Sequence, residues 1–98
     1  MIVHIVMIKF KDGISKEQIL EIKKDIEDLV DYIPQIKSME VGLNFAKEDR
    51  AMDLVLIATF DSKDDLKSYA TDPTHQKVIE KIKKVASYTK VVDYEKLS

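Results

Sequence analysis

Cysteine is absent from this 98-residue sequence. That excludes a disulfide framework, a thiolate metal site and a cysteine nucleophile, and it permits a reducing compartment. Glycine and proline occur only twice each, so regular structure is expected over most of the chain. Neither charge sign dominates, since 16 Lys and Arg stand against 18 Asp and Glu and the two signs are interleaved. Without a sustained positive field to attract a phosphate backbone, nucleic acid is not an expected partner. The apolar start, MIVHIVMIKFKDG, has no basic segment, no small-residue cleavage site and too little length to cross a bilayer. It reads as a strand of the mature fold, and the expectation is a cytoplasmic protein without a membrane partner. Glycine-rich phosphate loops, His-Glu-x-x-His and the nucleophile elbow are missing as well.

What is present points to one globular domain over residues 1–98. Apolar residues make up 45% and charged residues 35% of the chain, a globular balance. A chain this short buries only a little over half of its unfolded surface, so its stability is modest or shared with a second subunit.

Ile2 to Phe10 is rich in Val and Ile and runs into the turn signal Lys11-Asp12-Gly13, which predicts a first strand. Ser15-Lys16-Glu17-Gln18 fits a capping box, and Ile19, Ile22, Ile26, Leu29, Val30 and Ile33 follow at helical spacing up to Pro34. Ile36 to Phe45 alternates as a half-buried strand, with Met39, Val41, Leu43 and Phe45 on one side. Met52 to Phe60 is the third strand, and Ser62-Lys63-Asp64-Asp65 opens a short helix carrying Leu66, Tyr69 and Ala70. Asp72-Pro73 starts another, with Val78, Ile79, Ile82, Val85 and Ala86 on its apolar side, and Tyr88 to Tyr94 is the last strand. The order is the βαββαβ pattern of an α+β, ferredoxin-like fold: a four-stranded antiparallel sheet with helices on one face.

The first and third strands are apolar on both sides, whereas the helices cover only one face of such a sheet. The other face needs a cover, and a second copy of the sheet is the simplest one, so a homodimer is expected.

Titratable groups with a chemical use are few. His4 lies among Ile2, Val6, Ile8 and Phe10 on one face of its strand, and it reads either as a hydrogen-bonded core histidine or as a proton donor and acceptor near neutrality. His75 shares the inward stripe of Val78 and Ile79 at the third position of its helix. There the helix dipole disfavours imidazolium while Asp72 favours it, which leaves the sign of its shift open. Tyr69 is a phenolic donor, or a core tyrosine whose hydroxyl reaches water. Asn44 reads as a turn residue. Asp53 and Asp93 read as partners of turns or of charges at sheet edges, with no neighbours in sequence that would make a metal cluster. Lys81, Lys83 and Lys84 belong to a solvated helix side of mixed charge.

His4-Ile5-Val6-Met7-Ile8-Lys9-Phe10-Lys11, Gly42-Leu43-Asn44, Asp53-Leu54-Val55-Leu56, Asp72-Pro73-Thr74-His75-Gln76 and Val91-Val92-Asp93-Tyr94, in that order, resemble the stress-responsive A/B barrel family over nearly the whole chain. The resemblance implies that two ferredoxin-like units pair sheet to sheet into a dimeric α/β barrel. Some plant members are polyketide cyclases that close a ring without a cofactor, using histidine and tyrosine side chains as acid and base, and His4, Tyr69 and His75 match those positions. Before the proline, where the family often has histidine, this chain has Asp72. The expected role is binding of a small hydrophobic molecule between sheet and helices, without metal or cofactor. The alternatives are a cofactor-independent acid–base enzyme and a purely structural dimer. A cavity of about 300 Å³ or more, with both imidazoles on it, would favour the first two.

Overall fold

A computed structural model describes residues 1–97. In chain order it contains β1 (Ile2–Phe10), α1 (Lys16–Asp28) continued by a 3₁₀ turn (Leu29–Asp31), β2 (Ser38–Leu43), β3 (Leu54–Phe60), α2 (Lys63–Thr71), α3 (Pro73–Val85) and β4 (Ala86–Glu95). The sheet order is β2-β3-β1-β4 and every pairing is antiparallel. The two strands that are apolar on both sides, β1 and β3, are therefore the central pair, and the ferredoxin-like α+β fold stands as expected.

Each helix starts where its capping chemistry directs. The Ser15 hydroxyl accepts from the Gln18 backbone N–H while the Gln18 side chain accepts from the Ser15 N–H, satisfying two orphan donors. Ser62 caps α2 through the Asp65 N–H, and Asp72 caps α3 through the Thr74 N–H. Alternation then sorts the strand residues. Ile2, Ile8 and Phe10 of β1 meet Leu54, Leu56, Ala58 and Phe60 of β3 on the helix side, where Ile22, Ile26, Leu29, Ile33, Tyr69, Val78 and Ile82 close the core. On the opposite side Ile5 pairs with Ile57 and Val92, and Met7 pairs with Val55. Val92, Tyr88 and Tyr94 on that side are each about half exposed, at 49%, 49% and 47%, so the sheet turns an apolar face outward.

Several boundaries differ from the pattern in the sequence. The first helix tightens to a 3₁₀ turn at Leu29, so Leu29 and Ile33 stay buried while Val30 swings out to 42% exposed. A 3₁₀ turn advances three residues per turn rather than 3.6, which breaks the stripe there. β2 is shorter than its alternation, and Phe45 lies beyond it at 95% exposed. Asn44 begins a side-chain turn, its amide oxygen accepting from Ala46 N–H and its amide nitrogen donating to the Ala46 carbonyl. β4 starts at Ala86, two residues early, because α3 passes into it without a loop.

Candidate functional site

His4 sits mid-strand in β1 with its side chain on the helix side, 14% exposed. Its partner across the ladder in β4 is Asp93, and His4 Nδ1 is hydrogen-bonded to Asp93 Oδ1. An ionised carboxylate has no proton to donate, so in the neutral imidazole Nδ1 carries the hydrogen and Nε2 the lone pair.

Tyr69 and His75 come from two helices separated by a single residue. Asp72 is at once the last residue of α2's cap and the N-cap of α3, which stacks the final turn of one helix against the first turn of the next. The Tyr69 and His75 ring centroids are 4.1 Å apart, and those of His4 and Tyr69 are 5.9 Å apart in an edge-on arrangement. The phenol thus touches both imidazoles, with Phe60 behind it at 5.1 Å. His75 Nδ1 lies 3.3 Å from the Ala70 carbonyl oxygen; a carbonyl only accepts, so this ring too presents Nε2 as its lone pair.

Burial holds the His75 pKa below the ordinary imidazole value. The Ala70 hydrogen bond and the Asp72 charge push it up, His4 pushes it down, and burial prevails. The contest between dipole and carboxylate left open by the sequence is thus decided by desolvation. Burial also drives the Tyr69 phenol up to about 12, so at neutrality it is a proton donor. Its hydroxyl has no hydrogen-bond partner among the described residues, yet no buried side-chain nitrogen or oxygen there is left sealed and unpaired. The hydroxyl therefore opens onto a cavity.

That cavity, about 200 Å³, lies between β1, β4 and the helices and is lined by all three residues. Val6, Ile8, Ile26, Leu29, Leu56, Val78, Ile79 and Ile82 supply apolar walls, and Thr89 and Val91 the β4 side. It is smaller than the roughly 300 Å³ that would favour binding or catalysis over a purely structural core, because Ile8, Ile26, Leu29 and Leu56 fill its floor, and only the placement of both imidazoles on it meets that criterion. Val91, 61% exposed at the sheet edge, marks where it opens. A larger cleft, about 390 Å³, sits elsewhere, at the β2–β3 end of the sheet against Met7, Val55, Phe45 and Met52, with Arg50 as its titratable group. Arg50 is engaged with Glu48, and the cleft holds no proton-transfer pair, so the smaller cavity is the candidate site.

Asp53, Glu21 and Asp25 have structural uses. Asp53 accepts from the Phe10 backbone N–H at 2.8 Å and meets Lys9 at 3.4 Å, pinning the end of β1. Lys81 bridges α3 to Glu21 and Asp25 of α1. Among the described residues no cluster of three or more metal-ligating side chains is gathered, and no helix is long and apolar enough to cross a membrane. Asp93, read from the sequence as a partner of turns or of charges at sheet edges, meets His4, a pairing the sequence did not reveal. Its signal was the antiparallel register of the first and last strands, which sets position 93 opposite position 4.

Residues 2–96 match the Stress responsive A/B Barrel Domain family. A stress-response A/B barrel domain-containing protein, HS1, from Arabidopsis thaliana is 31% identical over 74 residues, covering 74% of this chain and 68% of that protein. A dimeric protein of unknown function and ferredoxin-like fold from Bacteroides fragilis superposes with a TM-score of 0.79 at 31% identity, over 96% of this chain and 94% of the other. A hydroxynitrile lyase from Passiflora edulis superposes with a TM-score of 0.85 at 25% identity, over 95% of this chain and 90% of the other.

Proposed function

The chain belongs to the stress-responsive A/B barrel domain family, and from that premise we propose that it binds a small, neutral, hydrophobic molecule in the cavity between sheet and helices. The observation that carries this reading is the Tyr69 hydroxyl, on a residue only 1% exposed, without a partner among the described residues and facing an apolar space between two imidazoles. Because this hydroxyl opens onto the cavity rather than onto protein, a ligand with one acceptor oxygen and a compact apolar body can accept its hydrogen bond. The lining contains no Lys or Arg, which favours a neutral molecule over an anion. Native mass spectrometry of the purified protein is the direct test: a bound mass retained by the wild type and lost in Ile79→Trp, which fills the cavity, supports the reading. Equal retention in both contradicts it.

A second reading, acid–base catalysis without a cofactor, is favoured by the pairing of a phenol donor with two imidazole lone pairs. Tyr69 would polarise a carbonyl oxygen while an imidazole Nε2 takes a proton from the substrate, and a hydroxynitrile lyase among the similar structures is in keeping with such chemistry. On this reading His75→Ala lowers turnover by roughly 10²- to 10⁴-fold, the usual worth of a positioned proton-transfer group.

The same proposal includes a homodimer formed through the outward apolar face of β1, β3 and β4, supported by the dimeric relative and by the half-exposed Val92, Tyr88 and Tyr94. A cytoplasmic setting completes it, supported by the lack of cysteine.

A further inference from the structure

We propose that Asp93 is a positioning residue for His4, and that it fixes the ring in the tautomer whose Nε2 lone pair serves the cavity. The inference rests on the acid–base reading of that cavity. Asp93 stands behind His4, outside the lining of the cavity. One carboxylate oxygen holds His4 Nδ1, while the rest of the side chain, 46% exposed, lies on a separate cleft of about 340 Å³ lined by Ile2, Lys63, Leu66, Tyr94 and Glu95. The charged and titratable groups facing it are thus His4 from β1, Lys63 from α2, and Tyr94 and Glu95 from its own strand.

Tautomer choice decides what His4 does. With the hydrogen on Nδ1, a neutral His4 offers Nε2 as an acceptor beside the Tyr69 donor, and the pair accepts and donates on one small molecule. With the hydrogen on Nε2, His4 and Tyr69 would both be donors and only His75 would accept. Proton balance follows: a substrate proton moving to His4 Nε2 yields imidazolium, whose Nδ1–H remains bonded to the carboxylate, and that new charge is met by the carboxylate's own. The same proton returns from Nε2 to product or solvent.

The test uses ligand-free protein labelled with ¹⁵N at histidine, with long-range proton–nitrogen spectra recorded about two pH units above the ordinary imidazole pKa of about 6.5. The wild type is expected to show a pyrrole-like Nδ1 and a pyridine-like Nε2 at His4. Asp93→Ala is expected to shift His4 toward the Nε2–H form, while His75, held by the Ala70 carbonyl, keeps its pattern as an internal control. Asp93→Asn, whose amide oxygen still accepts, is expected to restore the wild-type pattern. An Nε2–H pattern at His4 in the wild type overturns the proposal, and that measurement needs no variant to fold. An unchanged His4 in Asp93→Ala, or a failed rescue by Asp93→Asn, overturns it as well. Because the protein carries no ligand, these outcomes do not depend on whether the cavity binds one; a cavity that binds nothing would sink the functional reading and leave the tautomer as measured.

Discussion

At the residue scale, one half-buried imidazole gives the protein a specific pH response. The His75 pKa is lowered in the folded chain by burial, so just below the ordinary value the unfolded chain binds more protons than the native one. The stability tied to this group is complete above pH of about 6.5 and is lost as pH falls from there toward the folded value. His75→Ala is expected to flatten that part of the curve, which thermal melts of both proteins between pH 7.5 and about 5 will read; parallel curves would contradict the assignment. The inward placement of His4, Tyr69 and His75 was legible in sequence because an apolar periodicity put them on inward faces. Asp93 was not, because its role depends on a pairing between residues 89 apart in the chain and no local pattern encodes that register. Val30 misled for the opposite reason: the local pattern was helical, and the backbone tightened just before it.

At the scale of elements, the junction of α2 and α3 builds most of the site. One non-helical residue, Asp72, with φ −66° and ψ 132°, turns the chain so that Tyr69 ends one helix and His75 begins the next. The sequence announced this junction as an N-cap followed by proline, and both parts stand. Asp72→Ala removes the oxygen that accepts from Thr74 N–H and is expected to cost about 0.5–2 kcal/mol, whereas Asp72→Asn should recover most of it. Denaturant unfolding measures both variants; an equal loss in the two would mean that the charge, rather than the cap, is what matters. The strand ends were less legible. Pairing in β2 and β4 is set by the neighbouring strand, so alternation that continues past Leu43 does not extend the ladder, and an α3 that runs directly into β4 leaves no turn residue to mark the change.

For the whole molecule, the fold follows from which strands are apolar on both faces. That property put β1 and β3 at the centre, and it leaves the outward face as the proposed dimer interface. Ile5, opposite Ile57 and Val92, lies in the middle of that face, so Ile5→Asp would bury an unpaired carboxylate at a cost of several kcal/mol and split or unfold the pair. Light scattering at micromolar concentration reads this outcome, and a wild-type monomer would refute the interface. On the other side of the sheet, the small cavity is the proposed seat of a neutral hydrophobic molecule. Its most direct test is methyl NMR of the wild-type protein titrated with a compact ketone such as cyclohexanone. Saturable shifts are expected at the Val6, Ile8, Val78, Ile79 and Ile82 methyls that line the cavity, with Ile5, Val55 and Ile57 on the outer face unmoved; shifts confined to the outer face, or none at any concentration, would contradict binding in the cavity.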